Sequence, residues 1–380
     1  MSDGDSVHSE NGRDEIQKAR PTQPVRKPTL KDVARAAGVH TGTASRALNP
    51  ETRHLVNADT VRKVQRATEA LGYLINPIAR SLKTSRSMTI GMIIPDITNP
   101  IFPPMARGVE AVVEQAGYTA LIVNSDGDLA RERNRVNSLR ARQVDGLIFA
   151  TARRKHPLLS ELHDARVPVV LIGRRTEGLD LPSVAPDDEA GVTTAVRHLV
   201  GLGHRDIACI SGPMDTSQGV VRQRAFHGTM RELGVPTRDE LTVEADAWTI
   251  EGGREAALEL FGRHAGRFTA VVAGNDLVAL GCMDVLAQRG LRCPDDVSVI
   301  GFNNTPMMER LSPPLTTIAV PHYDVGVEAA RLLLEAIKDF DRTPRSLLLP
   351  VTLVERGSTA RAPLLPHITH QDSFPASAKR

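Results

Sequence analysis

Aromatic side chains make up only 3% of this 380-residue chain, with a single tryptophan, Trp248. Hydrophobic residues still reach 41%, so a large core is possible but must be built mainly of Val, Leu, Ile and Ala. Cysteine is equally scarce: Cys209, Cys282 and Cys293 are odd in number and form no Cys-x-x-Cys pair. That argues against a disulfide framework or a cysteine metal site and fits thiols kept reduced in a cytosol. No apolar run is long enough to span a membrane, and Met1 to Lys27 is polar and charged, without the apolar core of an export signal. The expected compartment is the cytoplasm.

Enzyme motifs are missing too. No G-x-G-x-x-G follows the first apolar run, and neither G-x-x-x-x-G-K-[ST], H-E-x-x-H nor G-x-S-x-G occurs. His204-Arg205-Asp206 lacks the asparagine and glycine-rich loop of a kinase and reads as a helix-to-strand turn. The sequence therefore calls for no catalytic residue, no cofactor and no metal.

Net charge is a modest +2, but its distribution is uneven. From Pro28 to Arg86, ten Lys or Arg stand against four Asp or Glu, so the rest of the chain is net acidic. A basic segment beside a near-neutral body suits a phosphate-binding head, and equally a solvated helical face. The local pattern is more specific. Thr29 and Asp32 form an approximate capping box for a helix from Leu30, Gly38 breaks it, a second short helix spans Thr41 to Leu48, and a third runs from Asn57 to Gly72. Three short helices with a glycine turn between the first two make a helix-turn-helix, with Val33, Ala34, Val39, Ala44 and Leu48 as core. Asn76-Pro77 then opens a helix over Ile78 to Lys83, too short to stand alone in water. It is expected to order only against DNA and a partner subunit.

From Met88 onward, apolar runs alternate with amphipathic helical stretches. The runs are Thr89–Ile94, Thr119–Val123, Gly146–Ala150, Val167–Ile172, Asp206–Ile210, Phe268–Ala273 and Val297–Gly301. This is the pattern of parallel sheets covered on both faces, whose ligands bind beyond the carboxyl ends of the strands. The loops to watch are Pro95–Pro103, Asn124–Asp128, Gly173–Thr176, Gly212–Arg222, Asn275–Asp276 and Asn303–Thr305. The expected organisation is a disordered arm (1–27), a DNA-binding head (28–74), a hinge (75–87), a sensor (88–357) and a disordered tail (358–380).

The stretch Thr29-Leu-Lys-Asp-Val-Ala-Arg-Ala-Ala-Gly-Val-His-Thr-Gly-Thr-Ala-Ser-Arg-Ala-Leu-Asn49 resembles the signature of the lactose/galactose repressor (LacI/GalR) family. Leu71-Gly72-Tyr73, Ala79-Arg80-Ser81-Leu82, Asn99-Pro100-Ile101-Phe102, Leu202-Gly203-His204 and Asn275-Asp276 fit the same family, and the resemblance covers about residues 28–357. It implies an all-α helix-turn-helix head followed by an α/β sensor of two doubly wound parallel-sheet lobes, like a periplasmic binding protein. The same resemblance implies that the sensor divides into one lobe of 88–185 plus 320–345 and another of 186–315 plus 346–357. It also implies a repressor whose affinity for double-stranded, pseudo-palindromic operator DNA is switched by a small-molecule effector, acting as a nucleoid-associated homodimer.

Roles follow by position. Thr41, Gly42 and Arg46 match base-reading positions in the major groove, and Arg46 is suited to guanine O6 and N7. Thr29, Ser45, Asn49, Thr60 and Tyr73 match phosphate contacts, with Leu30 and Asn76 beside them on the DNA-facing set. His40 replaces a usual serine and is open to phosphate or solvent. Ala79 and Leu82 match minor-groove hinge positions, where Leu82 would wedge a base step. In the sensor, Arg222 and Asn275 match ligand contacts, Asn99 lies in the first-strand loop, and Trp248 matches a stacking aromatic. Phe102 and Phe226 fit either pocket wall or core. Gly173 and Asn303 stand where sugar-binding relatives often carry aspartates, which leaves another sugar, a nucleoside or an acidic metabolite open as effector. A solute-binding protein would share the sensor but not the basic head. A regulator with a ligand-free sensor is the other alternative. No leucine heptad follows Arg361, so no coiled-coil tetramer is expected.

Overall fold

The computed structural model describes residues 28–49, 52–73 and 86–363. The arm 1–27, the hinge positions Asn76, Ala79 and Leu82, and the tail from 364 lie outside the described residues. The chain divides into two compact units, 1–80 and 81–380.

The smaller unit holds α1 (Leu30–Ala36), α2 (Thr41–Leu48) and α3 (Ala58–Leu71). The Asp32 carboxylate accepts the Thr29 N–H at 2.9 Å and the Thr29 hydroxyl at 2.7 Å, tying down the start of α1. Gly38 makes the turn into α2 with a φ of +67°, in the left-handed region that glycine enters without a Cβ penalty. His40 Nδ1 accepts the Gly42 N–H at 3.2 Å and caps α2, and Asn57 caps α3 through the Asp59 N–H at 2.8 Å. Val33, Ala34, Ala44, Ala47 and Val64 form the buried centre. Val39 and Leu48, expected in that core, are only half-buried and pack at its edge, because three short helices enclose little volume.

The larger unit contains two six-stranded sheets. The first comprises β1 (Thr89–Ile94), β2 (Thr119–Asn124), β3 (Gly146–Phe149), β4 (Val169–Ile172) and β5 (Ser183–Pro186), with β11 (Ser346–Leu349). The second comprises β6 (Ile207–Ser211), β7 (Thr242–Glu244), β8 (Ala270–Ala273), β9 (Ser298–Asn303), β10 (Thr316–Ala319) and β12 (Thr352–Val354). Strand orders are β11-β5-β4-β3-β1-β2 and β12-β10-β9-β8-β6-β7, the same order in each lobe. Every pairing is parallel except the antiparallel edge pair of β10 with β12. Strands β3, β4, β8 and β9 are buried along their whole length, as parallel strands covered on both faces must be.

The first sheet is covered by α4 (Phe102–Gln115), α5 (Leu129–Ala141), α6 (Pro157–Asp164) and α11 (His322–Lys338). The second is covered by α7 (Asp188–Gly201), α8 (Ser217–Glu232), α9 (Ile250–His264) and α10 (Asp276–Gln288). Helices α4 and α11 approach so closely that a β-carbon at Gly108 would strike the Tyr323 carbonyl, and one at Gly326 would strike that of Met105.

Three expectations need correction. All seven apolar runs contain strands, but β5, β7, β10, β11 and β12 are additional. Each has only three or four residues, too few for a period to show. Residues 346–349 belong to the first lobe, because Ser346–Leu349 pairs in parallel with Ser183–Pro186. The ordered chain also continues past 357: Ser358 is fully buried, with its Oγ accepting the Thr316 N–H at 2.8 Å and donating to the Val299 carbonyl at 2.6 Å. Ala362 N–H reaches the Leu202 carbonyl at 2.9 Å, so the tail does not begin at 358.

Candidate functional site

On the small unit, the candidate DNA contacts gather around α2. Arg46 is exposed, with its Nε donating to the Gly42 carbonyl at 3.3 Å. Thr41, Gly42, Ser45 and Asn49 are half-buried on the same short helix and its end. His40 is exposed, but its ring is engaged as the α2 cap, a local role that the sequence reading did not foresee. Leu30 and Tyr73 rest against the head core, which leaves Leu30 mainly a packing side chain. Thr60 is half-buried in the first turn of α3, and Thr29 is exposed with its hydroxyl held by Asp32.

In the larger unit, the carboxyl ends of the strands of both lobes open onto one cavity of about 620 Å³. The loops after β1, β2, β3, β4, β6, β7 and β8, and the end of β9, all reach it, as the strand-end rule for such sheets requires. Asn99, Phe102, Arg222, Trp248, Asn275 and Asn303, singled out from widely separated parts of the sequence, all line it. Phe226 does not. It is 2% exposed, inside the hydrophobic core and edge-on to His227 at 5.3 Å between ring centres. One turn along α8 from Arg222, its ring points into the protein rather than the cleft.

Arg222 is the most constrained of these side chains. Its Nε and Nη2 meet one carboxylate oxygen of buried Asp188 at 2.8 and 2.7 Å, and Nη1 reaches the Gly274 carbonyl at 2.5 Å. Its guanidinium lies 3.7 Å from the centre of the Phe302 ring and 5.4 Å from that of Trp248, within reach of a cation–π attraction to both rings. Burial pushes the Asp188 carboxyl up, against the pull of Arg222. The Trp248 ring lies flat on Gly212, where a β-carbon would overlap the indole. Asn275 is also occupied: its Oδ1 caps α10 through the Val278 N–H at 2.8 Å, and its Nδ2 reaches the Trp248 carbonyl at 3.4 Å. Asn99 Oδ1 accepts the Ile101 N–H at 3.2 Å. Asn303 differs. At the end of β9 it adopts a φ of 125°, costly for a residue with a side chain, and its amide makes no hydrogen bond among the described residues.

Arg153, Arg174, Asp215, Gln218 and Asp246 also line the cavity; none was singled out from the sequence, although Arg174, Asp215 and Gln218 lie in loops it marked. Arg153 pairs with Asp215 across the cleft at 3.0 Å, the Arg154 N–H donates to the Asp215 carbonyl at 2.8 Å, and the Arg175 N–H donates to Ser217 Oγ at 2.9 Å. Together these cross-link the two lobes at one rim. The doublets Arg153-Arg154 and Arg174-Arg175, each shortly after a strand, were the available signals.

Comparison with known proteins agrees with this arrangement. Residues 29–76 match the family model "Bacterial regulatory proteins, lacI family", and residues 196–359 match the "Periplasmic binding protein-like domain". The HTH-type transcriptional regulator DegA of Bacillus subtilis is 34% identical over 88% of this chain and 98% of its own length. The ribose operon repressor of the same organism is 35% identical over 88% and 99%. Among solved structures, the lac repressor dimer bound to operator and the anti-inducer ONPF superposes with a TM-score of 0.77 at 27% identity, covering 88% of this chain and all of that one. The transcriptional regulator CelR–cellobiose complex gives a TM-score of 0.67 at 30% identity, covering 87% and 99%. With a matching head, a matching sensor and full-length relatives, the chain belongs to the lacI family of bacterial regulatory proteins.

Proposed function

We propose that this regulator binds pseudo-palindromic double-stranded operator DNA as a cytoplasmic homodimer, and that a small molecule held between the two sensor lobes sets its operator affinity. The observation that carries the reading is the convergence of six residues marked by sequence, from both lobes, on one 620 Å³ cavity. A ligand touching both lobes favours one relative arrangement of them, and such a preference shifts a two-state equilibrium. Relatives supply the precedent: one solved complex holds cellobiose, another ribose, and the lac repressor dimer sits on its operator. In the head, the exposed Arg46 on α2 is the base-reading side chain of this reading, and Thr41, Ser45 and Asn49 set register on the backbone.

The test begins with operator selection from a random DNA pool, followed by binding at fixed salt with and without cleft ligands. A ligand that changes operator affinity establishes the switch. R46A is expected to lose about 1–3 kcal/mol of preference for cognate over random DNA; an unchanged ratio removes Arg46 from base readout. A ligand-free sensor is the second reading, favoured by Arg222 and Asn275 already spending their hydrogen bonds inside the protein. It predicts that no small molecule stabilises the chain.

A further inference from the structure

The two carboxylates that act on Arg174, Asp215 and Glu132, are committed elsewhere, and the Arg174 guanidinium itself has no hydrogen bond or ion pair with any described residue. Arg174 follows Gly173 in the loop after β4 and lines the cleft from the first lobe. Of the carboxylates near enough to act on it, Asp215 is paired with Arg153 at 3.0 Å and Glu132 is held by His156 at 2.7 Å inside the first lobe. Asp246 is exposed on the second lobe, where water solvates it. Arg153 and Arg222 add positive charge around Arg174. Burial lowers its pKa to about 10, so the environment resists even this strongly basic cation, although it stays charged at neutral pH. Arg174 is half-buried on the cleft wall, where a cation without a protein partner is favoured by an anion that reaches it, and the guanidinium fork matches the spacing of carboxylate or phosphate oxygens.

We infer that the effector of this regulator carries an anionic oxygen group, a carboxylate or a phosphate, which Arg174 binds in the cleft with Arg153 beside it. This rests on the reading of the cleft as the effector site and adds the charge of its ligand. It also separates the tasks of the arginines. Arg222 is held in place by Asp188 and Gly274, with three of its five N–H donors engaged inside the protein, and shapes the wall, whereas Arg174 has all of its donors available.

The test uses the full-length protein and matched probes: galacturonate against galactose, gluconate against glucose, and glucose 6-phosphate against glucose, with inorganic phosphate alone. Binding is read by thermal shift and calorimetry on wild type and R174Q. At least one anionic probe is expected to bind about tenfold or more tighter than its neutral counterpart, and R174Q should abolish that preference. The uronate and gluconate report a carboxylate; the sugar phosphate reports a phosphate. Neutral sugars binding as well as their anionic partners, a preference that survives in R174Q, or no probe stabilising wild type above R174Q would each overturn the inference. R174Q without ligand should melt at or above the wild-type temperature, since it removes an unpaired cation. A marked fall would show a structural partner for Arg174 and count against it. Operator binding measured in parallel separates the two readings. A neutral ligand that moves operator affinity keeps the switch and discards the anion. An anion lost in R174Q that leaves operator affinity unmoved keeps the anion and discards the switch.

Discussion

Arg222 and Asp188 show how a single contact acquires its weight. Both are almost wholly buried, and removing one partner would strand the other's charge at a cost of about 3–5 kcal/mol. Motif position picked out Arg222, but the carboxylate that holds it lies 34 residues away on α7 and carries no sequence mark. His322, at the start of α11, is a second case. Its ring is buried, and neither nitrogen has a hydrogen-bond partner among the described residues. Burial first, and then the nearby Arg222 charge, lower its pKa to about 4, while the Asn303 backbone opposes them. A depressed histidine pKa means that the unfolded chain takes up the proton first. The stabilisation is therefore complete above the ordinary value near 6.5 and drains away as pH falls towards 4. At about 1.4 kcal/mol per unit, this one group accounts for up to about 3 kcal/mol of lost stability over that window. Urea unfolding of wild type and H322L at pH 7 and pH 4.5 should show a shallower acid loss in the variant; equal losses would dismiss His322 as the cause.

At the level of elements, close helix packing makes its own prediction. Because a β-carbon at Gly108 meets the Tyr323 carbonyl and not a movable side chain, G108A must push α4 away from α11. The expected cost is about 1–3 kcal/mol in urea unfolding. Gly228, inside α8, has nothing within 4 Å of the same added carbon, so G228A should instead stabilise by about 0.5–1 kcal/mol through helix propensity alone. Equal effects in the two variants would show that propensity, not contact, governs Gly108. Elements were legible where the signal is local. β1 was bounded correctly because five of its six residues are buried, and α3 because Asn57 and Gly72 cap its two ends. β11 was assigned to the wrong lobe because Ser346–Leu349 holds no clue to its neighbour. That neighbour is β5, with Ser183 and Ser346 in hydrogen-bond contact at 2.9 Å across 163 residues of chain.

For the whole molecule, the two sheets of like order face one cleft, and the Arg153–Asp215 and Arg175–Ser217 contacts cross it. If the lobes are the switching element, the coupling between effector and operator must be reciprocal. A coupling of about 1–3 kcal/mol changes operator affinity on the order of 5–150-fold, and saturating operator must change effector affinity by the same factor. Calorimetric titration of the effector with and without operator DNA checks this. Unequal factors would exclude a single two-site linkage.

Capping residues, glycine turns, apolar runs and the spacing of the head motif act over a few neighbouring residues. The helix-turn-helix, the alternation of strands and helices, and the loops around the cleft were therefore readable from the order of amino acids alone. Phe226 turning inward, Arg222 held by Asp188, Ser358 locked into the second lobe and Arg174 left without a counterion among the described residues were decided only when distant segments met. A side chain's partners are set by three-dimensional contact, and neither periodicity nor residue type records which distant carboxylate or carbonyl will reach it first.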